Sequence, residues 1–325
     1  MWRFLAKGAI SVLLIWLLLR NRDLGALLRQ MLAVHRDALA LAALLLWSLA
    51  IPSAQRWSKV LEAMGKRLPF RKTFPLVLIG LFFNLTLPSS VGGDAVRMWK
   101  AHRAGLDGAT AIVSVMIDRL VALVALFLLV AAAMPIMFAI VEDQRARTGV
   151  ILLLALGFVG LPVGMMLDRL PAALQRFKLV RGLTHLSASL RHILITPRWA
   201  VPTLLLSLVN QGGNILVVYI LAIGLGIGVD WRACLLIVPL TLLVSVLPIS
   251  IAGWGVREGA FVAGFGMVGV ASQQALALSV LFGLLGIIIS LPGGIVWLAM
   301  GDRRIAMQPL GDKTGGGPPA AASNS

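Results

Sequence analysis

Long apolar stretches without charge are the feature that most constrains how this chain folds. A helix rises about 1.5 Å per residue, so about 20 apolar residues are needed to cross the hydrocarbon core of a bilayer. Such stretches recur along the sequence, at residues 2–19, 38–54, 73–93, 108–140, 148–167, 199–229, 233–256 and 259–301. They contain no charged residue apart from Arg3 and Lys7 in the first stretch and Asp118 and Arg119 in the fourth. The chain is therefore predicted to be an all-α polytopic membrane protein.

Composition excludes several other classes. The chain is 59% hydrophobic and 13% charged, whereas soluble domains have about 45–50% apolar and about 25% charged residues. In so apolar a chain, the net charge of +16 reports the membrane topology of the loops and not a nucleic-acid partner. Cys234 is the only cysteine and the four histidines show no metal-binding spacing, so we expect no metal, cofactor or disulfide.

Two of the apolar stretches are interrupted by proline and glycine. Laid over each other without a gap, at an offset of 160 residues, segments 87–97 and 247–257 are identical at six of eleven positions, where composition alone gives about one. The identical pairs are Leu87/Leu247, Pro88/Pro248, Ser90/Ser250, Gly93/Gly253, Val96/Val256 and Arg97/Arg257. The same offset moves stretches 38–54 and 108–140 onto other apolar stretches. The sequence therefore predicts a tandem duplication.

The duplication divides the chain into two halves and a tail. We assign residues 1–140 to the first repeat of the membrane domain and residues 141–301 to the second. Residues 302–325 are predicted to form a cytoplasmic disordered tail, because their end is rich in Gly, Pro, Ala and Ser.

Loop charges predict the orientation of the halves. The linkers 55–72, which includes Arg56, and 168–198 are strongly basic, whereas 141–147 and 230–232 are balanced. Since basic loops remain in the cytoplasm, the first two linkers are predicted inside and the other two outside. Trp57, near the end of a predicted span, is expected in the interfacial aromatic belt.

This charge distribution requires two re-entrant segments. If 73–93 crossed fully, the basic linker 168–198 would be forced outside, so we expect 73–93 to dip into the membrane and return through 94–105. The second broken stretch then enters from the opposite face. The prediction is two inverted structural repeats with about six full spans and two re-entrant broken-helix hairpins. Both termini are cytoplasmic, and linker 20–37 lies outside.

Helices broken at matching positions of inverted repeats are typical of transporters, because half-helix ends expose backbone groups at membrane depth. Amides near the two glycine-rich turns would attract an anion, and Arg97 and Arg257 would add a fork suited to phosphate. In the alternative, Asp94 is only a helix cap and the arginines pair with Asp94 and Glu258. The candidate substrate-binding residues are Asn84, Ser89, Ser90, Gly92, Gly93, Asp94, Arg97, Asp118, Arg119, Ser250, Gly253, Arg257 and Glu258.

Asp118 and Arg119 form an adjacent charged pair inside an apolar stretch. Each costs at least about 2.5–3.5 kcal/mol at membrane depth, and neighbours on a helix diverge by about 100°. At least one should therefore reach another element, with Arg97 and Glu258 as candidate partners. A packing network and a substrate role both remain open. Asn210 and Gln211 are expected to hold helices together.

Several motifs carry a family resemblance. They are Arg56-Trp57, Pro69-Phe70, Phe83-Asn84, Leu87-Pro88, Gly92 through Arg97, Ile117 through Leu120, Leu247-Pro248 and Gly255 through Gly259. Together they resemble the lysylphosphatidylglycerol synthase/flippase transmembrane-region family over about residues 1–300. The resemblance implies a bacterial inner-membrane protein that moves, or helps to process, a lipid with a charged head group. Asp94 departs from the Glu of many relatives, and we expect the chain to act without the family's soluble aminoacyl-transfer domain.

We therefore expect a flippase-like translocase for a phospholipid, glycolipid or polyprenyl-phosphate. We expect no enzymatic activity, since the sequence shows no nucleophile and base pair, Walker motif or metal cluster. The alternatives are a non-transporting membrane partner of a glycosyltransferase or lipid-biosynthesis enzyme, such as one for hopanoids or glycans, and a small-solute or ion carrier. A lipid-modifying enzyme or a second copy of the chain is the expected protein partner.

Overall fold

A computed structural model describes residues 16, 20, 24–86, 92–169, 177–246 and 253–300. The predicted span 2–19 and the predicted tail 302–325 fall almost wholly outside these residues. Ser89, Ser90 and Ser250, three of the candidate site residues, also lie outside them.

Helices account for the regular structure of the described residues, which contain no strand. Leu167–Arg169 forms a short 3₁₀ turn. The α-helices are α1 (Leu24–Leu32), α2 (Arg36–Ser48), α3 (Ala50–Ala63), α4 (Phe70–Thr86), α5 (Gly92–Arg103), α6 (Gly108–Ala132), α7 (Met134–Ile140), α8 (Gln144–Met165), α9 (Lys178–Ile195), α10 (Pro197–Gly224), α11 (Trp231–Val246), α12 (Val256–Gly266) and α13 (Ser272–Met300).

Five helical segments of the described chain are long and apolar enough to cross a membrane. They are Arg36–Ala63, Gly108–Ala132, Gln144–Arg169, Pro197–Gly224 and Ser272–Met300. Each overlaps one of the full spans predicted between residues 24 and 300. The first runs nine residues beyond the predicted end at 54, and the predicted stretches 108–140 and 259–301 are each divided into two helices. The prediction of an all-α polytopic membrane protein is confirmed.

Helices α4 and α5 form the first predicted hairpin. Leu85, near the end of α4, packs over Gly286, the midpoint of α13, so α4 ends at half the depth of a spanning helix. Helix α5 then packs back against α4. Lys66, before α4, acts electrostatically on Asp107, after α5. The chain therefore enters and leaves this hairpin at the same end of the helix bundle.

The second hairpin, α11 and α12, opens at the other end. A cavity of about 620 Å³ is lined by the chain after α7, by the start of α11 and by the turn after α12, through Val141, Asp230 and Met267 among others. The amide of His35 donates to the Gly224 carbonyl at 3.0 Å. The loops predicted outside thus share one end of the bundle, although which end faces the cytoplasm stays a prediction.

The two broken stretches have the same helix order, a shortened helix, a short returning helix and a long spanning helix. Helix α4 of the first packs on α13 of the second, and α11 of the second packs on α6 of the first. A two-fold relation between the halves would produce this crossed packing. The inverted repeat and its boundary at residues 140/141 remain predictions.

Glycines allow α4 to pack unusually close to its neighbours. A Cβ added at Gly93 of α5 would collide with the Gly80 carbonyl oxygen of α4, and one at Gly293 of α13 would collide with the Leu78 carbonyl oxygen. The amide of Gly93 also donates to Asn84 Oδ1 at 3.0 Å. Helix α4 is therefore held between α5 and α13 at backbone contact.

Replacing Gly93 with Ala should separate α4 from α5, because the collision is with rigid backbone. Overpacking typically costs about 1–3 kcal/mol, and we expect a lower melting temperature and less monodisperse protein in detergent. Gly212→Ala on α10 is the matched control, since a Cβ there meets no atom within 4 Å. Equal melting temperatures for the two variants would contradict the tight contact.

The predicted orientation can be tested with single cysteines in a variant that lacks Cys234. Arg67→Cys and His185→Cys lie at exposed positions at the end predicted to be cytoplasmic, and Gln144→Cys lies at an exposed position at the other end. In intact cells an impermeant thiol reagent should label only position 144. After the membrane is permeabilised, all three should react. Labelling at 185 in intact cells would refute the predicted orientation.

A candidate site built on buried arginines and aspartates

Five charged side chains from three helices meet beside the first helix break. We call them the charge cluster, and they are Arg56, Asp94, Arg97, Asp118 and Arg119. Asp118 and Arg119 lie within two residues of the midpoint of α6, about 15 Å along the helix from its start. The cluster therefore lies near half the depth of a spanning helix.

Asp118 is the anion at the centre of the cluster. It is 1% exposed, and its Oδ1 accepts from Arg56 Nε at 2.7 Å. Its Oδ2 accepts from Arg97 Nη1 and Nη2 at 3.2 and 3.1 Å. The second arm of Arg56 donates to Ser207 Oγ of α10 at 3.3 Å. One carboxylate thus joins α3, α5 and α6, and Arg56 extends the network to α10.

Trp57 also contacts Arg97. The Arg97 guanidinium lies 4.3 Å from the centroid of the Trp57 ring, a cation–π contact that is strengthened by desolvation. Trp57 Nε1 donates to Ser114 Oγ at 3.3 Å. The aliphatic part of Arg97 lies against Gly80, where any side chain would displace it. Arg97 is thereby fixed by an ion pair, an aromatic ring and a close helix contact.

Two expectations about Arg56 and Trp57 were wrong. Arg56 is not a loop charge and Trp57 is not in an interfacial belt, because α3 continues to Ala63 and both side chains are buried. The ion pair with Asp118, 62 residues away, lets Arg56 enter the bundle. The sequence signal that could have revealed it is the unpaired carboxylate of a predicted span, which needs a cation from another helix.

Arg119 differs from the other members in its exposure. Its Nε and Nη2 donate to Asp94 Oδ2 and Oδ1, both at 2.8 Å, and Arg97 Nη1 lies 3.8 Å from Asp94 Oδ1. The side chain of Arg119 is 49% exposed, whereas that of Asp94 is 8% exposed. Of the two candidate partners of the Asp118-Arg119 pair, Arg97 is the one that forms an ion pair, with Asp118. Glu258 is not a partner of this pair, because it is bound within its own motif.

The charges of the cluster do not balance. Among the described residues, three arginines share two aspartates, and Nε of Arg97 is buried without a hydrogen-bond partner. An uncompensated charge in a low-dielectric environment is costly. The cluster is therefore a place where an additional anion would be stabilised.

The second motif has equal numbers of charges. Arg257 Nη2 and Nε donate to Glu258 Oε1 at 2.6 and 3.0 Å, and Ser279 Oγ donates to the same oxygen at 3.3 Å. The Gly255 amide donates to Glu258 Oε2 at 2.6 Å. A Cβ at Gly283 of α13 would collide with the Arg257 guanidinium. In this motif Arg257 and Glu258 therefore neutralise each other, and the Arg257 guanidinium packs closely against α13.

Backbone geometry explains the glycines of the second turn. Gly253 and Gly255 have φ values of +79° and +87°, in the left-handed region that favours glycine. The carbonyl of Gly253 accepts from the Arg257 amide at 3.0 Å. The turn thereby delivers the chain into α12 with Arg257 and Glu258 in its first turn.

Several predicted anion ligands are already engaged within the protein. The predicted ligand amide of Gly93 donates to Asn84, so it is not a free donor. The amide of Gly255, which was not among the predicted ligands, donates to Glu258. Arg97 and Arg257 are 4% and 9% exposed and pair with carboxylates, as the alternative interpretation has it. Direct head-group contact by these two arginines stays a prediction that would require their ion pairs to open.

Asn210 acts as a helix-to-helix link, as predicted. Its Nδ2 donates to the Leu49 carbonyl and to Ser53 Oγ, both at 2.9 Å. The Leu49 carbonyl lies at the junction of α2 and α3. The amide from α10 therefore stabilises this junction inside the bundle.

Replacing Asp118 with Asn should destabilise the protein strongly. Arg56 and Arg97 would lose their shared carboxylate, and breaking a buried pair typically costs about 3–5 kcal/mol. Asp37→Asn is the matched control, because Asp37 is exposed in the first turn of α2. Thermal melting in detergent should show a large fall for the first variant and little change for the second. A wild-type melting temperature for Asp118→Asn would contradict the central role of this carboxylate.

Comparison with known proteins agrees with the motifs and the helical architecture. Residues 4–294 match the family described as the lysylphosphatidylglycerol synthase TM region. No curated protein matches the chain significantly. The family match covers most of the chain, and it includes both broken stretches and every member of the charge cluster. The chain is therefore a multi-pass membrane protein that belongs to the lysylphosphatidylglycerol synthase transmembrane-region family.

Proposed function

We propose that the protein is a lipid translocase for a phospholipid, glycolipid or polyprenyl-phosphate with an anionic or modified head group. The observation that carries this proposal is the excess positive charge of the charge cluster at half depth. Its most exposed arginine, Arg119, is the contact point. A lipid phosphate crossing the bilayer needs such a charge, because bare hydrocarbon opposes its passage.

Arg119 is suited to exchange one anion for another. It holds Asp94 through two parallel hydrogen bonds, the same two-pronged geometry that an arginine uses for phosphate. When a phosphate replaces Asp94 on Arg119, Asp94 retains Arg97 as a neighbour at 3.8 Å. A singly charged phosphate also offsets the excess positive charge. The ion pair of Arg119 with Asp94 therefore represents the protein without bound lipid, and a lipid head group breaks this pair when it binds.

Arg97 and Arg56 have a positioning role in this proposal. They neutralise Asp118 from the side facing α3 and α5, so that Arg119, the next residue, is left to face the accessible side. Adjacent residues point about 100° apart on a helix. One turn of α6 therefore carries a structural pair and a substrate contact side by side.

The proposal also covers location and partners. We place the protein in the bacterial inner membrane with both termini in the cytoplasm, which keeps Lys66 and Arg67 after α3 and the basic segment 168–198 inside. The proposed activity moves a lipid without a chemical step. A second copy of the chain or a lipid-modifying enzyme would act beside it.

Transport can be measured with fluorescent phosphatidylglycerol in proteoliposomes, where an impermeant reductant bleaches only the outer leaflet. We expect Arg119→Gln to slow flipping about tenfold or more, equivalent to about 1.4 kcal/mol or more of lost stabilisation. Arg119→Lys should be intermediate, because lysine keeps the charge but loses the fork. Arg145→Gln, at an exposed position in the first turn of α8, is the matched control. Flipping no faster than in protein-free liposomes, also for a polyprenyl-phosphate probe, would refute the proposal.

The variant Asp94→Asn distinguishes a role of Arg119 in lipid recognition from a purely structural role of its ion pair. If Arg119 contacts the head group, this variant frees the guanidinium and retains transport, whereas Arg119→Gln loses it. If the pair only braces the fold, both variants should lose melting temperature and transport together. Parallel loss in the two variants would assign Arg119 a structural role.

A further inference from the structure

A continuous apolar groove runs along the face of α6 covered by α8 and α9. One cavity of about 300 Å³ lies among α6, α8 and α9, and another of about 510 Å³ lies between α6 and α9. Leu183 and Leu186 line both cavities, which makes them one groove. On α6 the lining extends from Ala109 to Leu128, a distance of about 28 Å. We call this feature the α6 groove.

Glycines of α8 that have no neighbouring atoms leave space in this groove. A Cβ at Gly157 would collide with Phe127 of α6, so the two helices touch there, but at Gly160 and Gly164 a Cβ meets no atom within 4 Å. Both of these glycines line the cavity of about 300 Å³, together with leucines of α6 and α9. The cleft between the helices therefore has the length and the aliphatic surface that suit an extended acyl chain.

The end of the groove near Ala109 is basic. Arg181 and His185 of α9 line it, and the sequence of α9 contains no Asp or Glu. Asp107, two residues before Ala109, is occupied as the cap of α6. The hydrogen bond from the Thr110 amide lowers the pKa of the Asp107 carboxyl. The entrance thus combines an apolar channel with a positive rim, the pattern that fits an anionic amphiphile.

We propose that the α6 groove binds an anionic glycerophospholipid, with an acyl chain along α6 and the phosphate at Arg181 and His185. The site differs from the charge cluster, whose Arg119 lies on the edge of this face, about 40° around α6 from the groove residue Leu123. Binding at the groove can occur without transport. Its failure and the failure of the proposed translocase activity are therefore measured separately.

Photo-crosslinking tests the site directly. The full-length protein is reconstituted in phosphatidylcholine vesicles that contain a trace of phosphatidylglycerol with a diazirine on its acyl chain, and the labelled peptides are mapped by mass spectrometry. Labels should concentrate on α6, α8 and α9 around Leu123, Gly160 and Leu186. Diazirine-labelled phosphatidylcholine at the same level should label these peptides about tenfold less.

Two sets of variants complete the experiment. Gly160→Leu combined with Gly164→Leu fills the groove and should reduce labelling about tenfold, whereas Gly212→Leu on the exposed face of α10 should not. Arg181→Gln combined with His185→Gln changes only the exposed rim and should remove the preference for phosphatidylglycerol. Melting temperatures confirm that each variant is folded. Unchanged labelling in the filled groove, or equal labelling by the two lipids in the wild type, would overturn the proposal.

Discussion

The ion pairs of Asp118 hold together the part of the bundle where the membrane helix is broken. A lone carboxylate at half depth would be costly, but Arg56 and Arg97 reach it from two other helices. Helix α5 carries Asp94, Arg97 and three further basic residues within 12 positions. So polar a helix can return through the bilayer only when its buried charges are paired. The hairpin therefore depends on this carboxylate.

Close glycine contacts also hold this hairpin together. Gly93 brings α5 against α4, and Gly293 brings α13 against α4. Since a short helix buries little apolar surface, backbone contact supplies dispersion and complementary shape where length is lacking. The charges decide the depth of the hairpin, and the glycines decide how closely its helices approach.

The two broken stretches have the same helix order but differ in their charged residues. At the 160-residue offset, Asp94 corresponds to Trp254 and Arg119 corresponds to Ser279. In the second motif the acid comes from Glu258, which pairs with its own neighbour Arg257. The second motif is thus a balanced ion pair. The first motif has one more arginine than it has aspartates, and one of its arginines, Arg119, is exposed. This asymmetry is the reason that the proposed head-group contact lies in the first motif alone.

The sequence by itself determined the membrane class, the approximate positions of the spans within residues 24–300, the positions of the helix breaks and the need of the Asp118-Arg119 pair for a partner on another helix. These follow from apolar length, from proline and glycine, and from the cost of a charge at depth, which are local properties. Only the tertiary structure decided that Arg56 and Trp57 are buried and that Arg119 is the exposed arginine. Burial of a charge depends on a partner supplied by another helix, and the exposure of Arg119 depends on which neighbours cover that side of α6. Neither the burial of Arg56 nor the exposure of Arg119 can be predicted from the residue's own segment of the chain.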